Sequence, residues 1–174
     1  MSSIPSASFT SIMEKFDSNL WGFHFCVSSE IGNQFVTEGN DRRVICTLND
    51  KQEFQCALMP KGDGNFFINV NKKLRDVLKL TVGSQVNVLL KKDESEYGLP
   101  MPEELQELLL QDEEGDKLFH ALTIGKQRTL LYIVGSVKDT GKRISRALAI
   151  VNHLKATGGK IDYKKLNEGL RLGI

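Results

Sequence analysis

The chain has 174 residues, a formal net charge of +1, 40% hydrophobic residues and 26% charged residues, an ordinary globular composition with enough apolar material for a core. No apolar run approaches the roughly 18 residues of a membrane span, and the first residues lack the basic and apolar regions of a secretory signal. Three cysteines, Cys26, Cys46 and Cys56, are too few and odd in number for a disulfide scaffold. We therefore predict a cytoplasmic protein whose cysteines are small buried hydrophobic residues.

The N-terminal half shows the period-two alternation of β-strands. Strands are predicted at residues 8–16 and 23–28, joined across residues 17–19, and then at 42–48 and 52–59. Two more strands complete a closed or nearly closed barrel of six or seven strands. Between these two strands lies a predicted helix, residues 72–80, with Leu74, Val77 and Leu78 on one side. The residues predicted to face inward are Phe23, Phe25, Val27, Val44, Cys46, Leu48, Phe54, Cys56, Leu58, Phe66, Ile68, Val70, Val86, Val88 and Leu90.

Beyond residue 98 the apolar period becomes 3.6, which is typical of helices. A first helix follows Pro102, and two more are predicted at residues 116–122 and 126–138. A fourth begins at Asp139 or Thr140 and ends at Gly158, and a short fifth covers residues 163–170. The predicted fold class is α+β, with a β-barrel domain at 5–98 and a helical region at 99–174. The predicted core positions of the first and fourth helices are Leu105, Leu108, Leu109, Ile144, Ala147, Leu148, Val151 and Leu154.

Charge is unevenly distributed in the C-terminal half. Residues 103–116 contain seven acidic residues and no basic ones, whereas residues 117–174 contain twelve Lys plus Arg against three acidic residues. Part of this excess gathers at the start of the fourth helix, in a patch suited to a phosphate, a nucleic-acid backbone or another anion. Internal pairing with the acidic block is the alternative. The predicted binding residues are Lys138, Thr140, Lys142, Arg143 and Arg146.

The sequence contains no recognisable catalytic or metal-binding motif. His24 and Cys26 lie on the same face of one predicted strand, but no third group that would orient a Cys–His pair is indicated. Neither a Cys-x-x-Cys pair nor a His-x-x-x-His pair is present. We therefore predict no catalytic residue, no metal site and no cofactor.

Two stretches resemble known bacterial modules. The segment Leu58 to Gly64, followed by Val70 to Arg75 and Val82 to Val86, resembles the domain of unknown function family 1905. The segment Lys138 to Ile144 resembles the basic run of the YdeI/OmpD-associated family, although Gly141 stands where that family tends to have arginine. The resemblance implies a double-split-type barrel followed by a helical tail. With this resemblance our leading hypothesis is a non-enzymatic binding or stress-associated protein, and the basic patch makes an anionic small molecule its expected ligand.

A second resemblance supplies the main alternative. Residues 71–80, with Gly83 and Val86, are similar to the helix, turn and strand of AbrB/MazE-like DNA-binding barrels, which act as dimers. That similarity implies nucleic-acid contacts by Lys72, Lys73 and Arg75. A third hypothesis is a small-molecule enzyme that uses the barrel interior, but small barrels fill their interior with side chains. The sequence leaves the oligomeric state and the identity of the ligand open.

Overall fold

The computed structural model describes residues 3–17, 22–38 and 41–173. The chain divides into two compact units, Met1–Glu94 and Ser95–Ile174, each built around its own apolar core. The described strands belong to the first unit and the long helices to the second, which confirms the predicted α+β class. None of the described helices is long and apolar enough to cross a membrane.

The described strands of the first unit form one antiparallel sheet in the order β4-β3-β7-β1-β2-β6-β5. Only Leu58 separates the two edge strands, β4 and β5, along the chain. Because the edges must meet at that residue, the sheet curls into a half-barrel, as the predicted barrel requires. The strands are β1 Ser6–Lys15, β2 Phe23–Val27, β3 Arg43–Leu48, β4 Gln52–Ala57, β5 Met59–Pro60, β6 Phe66–Asn69 and β7 Gln85–Lys92.

The predicted inward faces of β3, β6 and β7 are confirmed, because their alternating apolar side chains are almost completely buried. The edge strand β4 is covered less well, so Phe54 and Cys56 are half-buried and pack against the core from its border. The single strand predicted at 52–59 is wrong, since the chain leaves one edge of the sheet at Leu58 and enters the other. Residues 18 and 19 of the predicted connection before β2 lie outside the described residues.

Two short helical elements in the first unit are missing from the sequence prediction. Helix α1, Ser29–Gly32, begins at the N-cap Ser28 and continues into a 3-10 turn, Asn33–Phe35. Phe35 is fully buried in the core of the sheet. A side chain on Gly32 would collide with the ring of Phe66, so the glycine permits this close approach.

The predicted helix before the last strand is present as α2, Lys72–Leu78. Asn71 caps its N-terminus, because the Asn71 side chain accepts a hydrogen bond from the Leu74 backbone N–H at 2.9 Å. Leu74 and Leu78 pack against the core as predicted. Val77 is 55% exposed, so its predicted inward position is wrong. A helix of two turns covers the core with a narrow i, i+4 stripe only.

The second unit consists of helices around a core that includes Leu105, Phe119 and Leu130. The second and third helices start earlier than predicted because side chains cap them. Asp112 accepts from the Gly115 N–H at 2.8 Å, and Thr123 caps the third helix in the same way. The helices are α3 Glu103–Gln111, α4 Glu113–His120, α5 Ile124–Gly135, α6 Thr140–Thr157 and α7 Tyr163–Leu172.

Helix α6 starts and stops where the sequence predicted, at the N-cap Asp139 and at Gly158, which adopts a positive φ of 62°. Its core face is shifted from the prediction, because Ile144 and Leu148 are 46% and 43% exposed. These two residues, four apart, lie at the border of the stripe that the helix buries. That buried stripe consists of Ala147, Ile150, Val151 and Leu154.

The second unit begins before the predicted limit at residue 99. Tyr97 is 7% exposed and belongs to the same core as Phe119. The Arg128 guanidinium donates a hydrogen bond to the Tyr97 carbonyl, which ties this segment to α5. The assignment of residues 5–98 and 99–174 as domains stays a prediction.

Candidate functional site

The predicted binding residues lie at the corner between α5 and α6. Lys138, Thr140 and Lys142 are exposed, whereas Arg143 and Arg146 are half-buried. Asp139 fixes the start of α6 by accepting a hydrogen bond from the Lys142 backbone N–H at 2.8 Å. The five residues therefore share one corner of the second unit, although their side chains have different surroundings.

Arg143 forms an ion pair with the acidic block. Its Nε donates to Glu104 Oε2 at 2.9 Å, and both side chains are largely shielded from solvent. The Glu104 backbone N–H, at the start of α3, and then the Arg143 guanidinium hold the pKa of Glu104 below its usual value. Lys155 of α6 pairs in the same way with Asp112, at 2.8 Å. Internal pairing therefore accounts for part of the basic excess.

Arg146 stabilises the end of α5. Its Nη1 donates to the Ile133 carbonyl at 2.7 Å and to Ser136 Oγ at 2.8 Å. The Ile133 carbonyl belongs to the last turn of α5, where backbone carbonyls have no partner within the helix. Arg146 thus joins α5 to α6, and its position is set by this contact.

A cleft of about 280 Å³ opens beside Arg143, and we call it the Arg143 cleft. The segment before α3 and the C-terminal end of α5 form its largely apolar walls. Of the residues that line it, Arg143 carries the charge. The lining residues are Leu99, Pro100, Met101, Pro102, Leu131, Tyr132, Gly135, Ser136 and Arg143.

Two of the three residues predicted to contact nucleic acid, Lys72 and Arg75, make contacts within the first unit. Lys72 Nζ lies 2.6 Å from Asp76 Oδ2, and both side chains are exposed. Arg75 donates through Nη1 to the Val70 carbonyl at 2.8 Å, and its guanidinium stacks 3.8 Å from the centre of the Phe23 ring. Lys73 is exposed. The alternative stays a prediction, with Arg75 already occupied in packing.

The structure brings Glu14 and Lys61 to His24 and Cys26, the pair that the sequence placed on one face of a strand. The pairing of β1 with β2 places Glu14 opposite His24, and their Oε2 and Nε2 atoms are 3.3 Å apart. The Cys26 thiol, on the same face of β2, donates to Glu14 Oε2 at 3.1 Å. Lys61 Nζ donates to Cys26 Sγ at 2.8 Å and lies 3.6 Å from Glu14 Oε2. We call this group the Glu14–His24–Cys26 cluster.

The charges of the cluster influence one another. The hydrogen bond from the Cys26 thiol, followed by the positive charge of Lys61, holds the pKa of Glu14 below its usual value. Burial raises the pKa of the Cys26 thiol, and the Glu14 carboxylate adds to this effect. The hydrogen bond to Cys26 raises the pKa of Lys61. In this arrangement the carboxylate and the ammonium are charged and the thiol is protonated, which does not favour a reactive thiolate.

A second hydrogen-bonded chain lies in the helical unit. His120 Nδ1 is 3.0 Å from Asp116 Oδ1, and His120 Nε2 is 3.3 Å from the Tyr97 hydroxyl. These three side chains line a cleft of about 250 Å³. The spacing of Asp116 and His120, four residues apart on α4, predicts their contact, whereas the contact with Tyr97 depends on the packing of the segment before α3.

Two family models match the chain, one on each side of the limit between Glu94 and Ser95 that separates the compact units. Residues 9–90 match the family described as "Domain of unknown function (DUF1905)", and residues 99–157 match "Bacteriocin-protection, YdeI or OmpD-Associated". No curated protein and no solved structure is significantly similar to the chain. Both matches agree in position and in order with the two resemblances found in the sequence, the DUF1905 match first and the bacteriocin-protection, YdeI or OmpD-associated match second.

Proposed function

We propose that the helical unit binds a small organic anion with an apolar body in the Arg143 cleft. The observation that carries the proposal is the composition of this cleft, whose apolar walls enclose about 280 Å³ beside one guanidinium. Ligand pockets of this type are lined mainly by apolar side chains, with a few polar groups that fix the orientation of the ligand. A carboxylate with a short aliphatic or aromatic body matches both parts of the cleft.

Arg143 is suited to the role of anchor. Glu104 takes the Nε–H of the guanidinium, so the Nη groups are the ones directed to a bound carboxylate or phosphate. The same ion pair holds the arginine in one orientation before a ligand arrives. A preoriented guanidinium loses less conformational entropy on binding than a free one.

The charge around the cleft also supports an anion. Lys138 and Lys142 are exposed at the same corner of the second unit and add positive potential without a direct contact. The negative charge of Asp139 lowers this positive potential. Its carboxylate accepts a hydrogen bond from the Lys142 N–H in the first turn of α6, which holds the carboxylate at the helix N-terminus. Lys138 and Lys142 therefore attract the anion, Arg143 binds it, and Arg146 holds α5 against α6.

The test measures the binding of benzoate and hexanoate, and of the corresponding neutral amides, by backbone amide shifts in NMR spectra. The carboxylates are expected to perturb residues around the Arg143 cleft, and the amides to bind more weakly. Arg143→Gln should weaken carboxylate binding by about tenfold or more, because a charge-assisted hydrogen bond is lost. Glu104→Gln keeps an acceptor for the Arg143 Nε–H and removes a negative charge near the cleft, so it should strengthen carboxylate binding.

Arg171→Gln is the matched control. Arg171 is exposed on α7, so the same change of charge there should leave the affinity within about twofold of the wild type. Equal affinity of the wild type and Arg143→Gln for the carboxylates would refute the proposal. Amides that bind as tightly as the acids would refute it as well, because the cleft would then recognise the apolar body alone.

A further inference from the structure

His24 in the Glu14–His24–Cys26 cluster is a buried histidine with an unused ring nitrogen. The residue is 2% exposed. Its Nδ1 lies 3.4 Å from the Gly22 carbonyl, which can only accept, and a neutral ring with its proton on Nδ1 would leave a lone pair on Nε2. Nε2 makes no hydrogen bond within the described residues. Buried polar atoms rarely lack a partner, and one that does requires an explanation.

The ring of His24 is held in place on both sides. Phe16 stacks on it with ring centres 3.7 Å apart and planes inclined by 11°, and Phe67 contacts it edge-on at 5.5 Å. The ring therefore cannot rotate freely, and Nε2 stays directed towards Glu14 Oε2 at 3.3 Å. Although this distance is within ion-pair range, Nε2 has no hydrogen bond there, and a neutral His24 with its proton on Nδ1 places two lone pairs, one on Nε2 and one on Oε2, opposite each other. Such a pair is stable when a proton or a cation lies between them.

The three donor atoms are close enough together for one metal ion to contact them all, and two of their separations are near those of a tetrahedral site. Bonds of about 2.0–2.3 Å from zinc to nitrogen, oxygen and sulfur place neighbouring ligand atoms roughly 3.3–3.6 Å apart. Nε2 and Oε2 are 3.3 Å apart, Sγ and Oε2 are 3.1 Å apart, and all three donor atoms lie within 4.8 Å of one another. A histidine that ligates zinc commonly donates its other ring N–H to a backbone carbonyl, as His24 does to Gly22.

Lys61 already places a positive charge beside two of these donors. Its ammonium is 2.8 Å from Cys26 Sγ and 3.6 Å from Glu14 Oε2. The side chain is 28% exposed, so it can turn outward to solvent without leaving a cavity in the core. The ammonium and a divalent cation compete for the same lone pairs on Cys26 Sγ and Glu14 Oε2.

We propose that Glu14, His24 and Cys26 form a binding site for a divalent transition-metal ion of the zinc type. On binding, the metal displaces the thiol proton to solvent and forms bonds to Cys26 Sγ, His24 Nε2 and Glu14 Oε2. Two anionic ligands and one neutral ligand then balance the charge of the ion. Three protein ligands leave a fourth position for water, the arrangement found in zinc sites that act on substrates.

The test is a titration of the full chain with Co²⁺, which reports the geometry of zinc sites by its visible spectrum, followed by competition with Zn²⁺. We expect one equivalent of Co²⁺ to produce the intense bands of tetrahedral coordination and a thiolate-to-cobalt charge-transfer band. Zn²⁺ should displace the cobalt. Cys26→Ser should remove the charge-transfer band and weaken binding by about tenfold or more.

Two further variants keep the test decisive. Lys61→Met keeps a long, partly exposed side chain and removes the competing ammonium, so Co²⁺ should bind severalfold more tightly. Cys56→Ser is the matched control, because Cys56 is also a half-buried free cysteine but lies on β4, and its spectrum should equal that of the wild type. Cobalt binding by Cys26→Ser as tight as by the wild type would overturn the proposal. So would the absence of a charge-transfer band in both the wild type and Lys61→Met.

Discussion

Tyr97 has a polar group placed at the border of an apolar core. The side chain is 7% exposed, and its ring lies 6.3 Å from that of Phe119. The hydroxyl group is 3.3 Å from His120 Nε2. Burial, together with the nearby carboxylates of Glu96 and Asp116, raises the pKa of Tyr97 from 10.0 to about 12. The folded protein therefore favours the neutral phenol.

This shift predicts a loss of stability at high pH. The pKa of Tyr97 is higher in the folded than in the unfolded protein. The neutral phenol therefore makes its full contribution to the free energy of unfolding below pH 10, and this contribution is lost as the pH rises towards 12. The free energy of unfolding can be measured with urea at pH 9 and at pH 11. Between these two values it should fall by about 1 kcal/mol more in the wild type than in Tyr97→Phe. An equal loss in both proteins would contradict the assignment of the shift to Tyr97.

At the scale of secondary-structure elements, the contact between α4 and α6 depends on a glycine. A methyl group on Gly115 would lie 2.6 Å from Val151 Cγ1, closer than two carbon atoms can approach. Helix α4 is also joined to α6 through the ion pair of Asp112 with Lys155. The small residue at this position therefore sets how closely the two helices pack.

Gly115→Ala should destabilise the protein by about 1–3 kcal/mol, because the added methyl group overpacks the interface with α6. Gly125→Ala is the matched control. Gly125 is exposed in the first turn of α5 with open space around it, so alanine should be neutral or stabilise by up to about 1 kcal/mol. Thermal unfolding of both variants measures the difference, and equal midpoints would show that Gly115 does not limit the contact.

At the scale of the whole molecule, the chain contains two compact units with separate cores. The segment from Ser95 to Pro102 contains no helix or strand, yet it carries Tyr97 into the second core. A boundary placed at a change of composition, as at residue 98, therefore separates this tyrosine from the residues that bury it.

We predict that residues 95–174 fold alone, and that residues 99–174 are less stable by about 3 kcal/mol, because they lack the buried ring of Tyr97. Chemical unfolding followed by circular dichroism compares the two fragments. Tyr97→Ala in the longer fragment is the control, and it should lower the stability to that of the shorter one. Equal stability of the two fragments would mean that Tyr97 contributes nothing to the second core.

The candidate sites were predictable from the sequence to different degrees. The basic corner follows from the charge run and from the N-cap Asp139, because both are local features. The ion pair of Arg143 with Glu104 joins residues far apart in sequence, so no local pattern contains it. The Glu14–His24–Cys26 cluster depends on strand register. In the structure Glu14 pairs with His24, and no register between these two strands was predicted from the sequence.

The sequence by itself determined the α+β class, the inward faces of β3, β6 and β7, and both limits of α6, because alternation, helical period and caps are short-range patterns. In β7 the alternation of Val86, Val88 and Leu90 even continues to Lys92, which points inward and is 9% exposed. Only the tertiary structure decided its partners, since Lys92 Nζ donates to the Phe35 carbonyl at 3.0 Å and to Asp41 at 3.1 Å. Contacts between distant segments depend on the register and packing of the folded chain, and short-range patterns do not encode them.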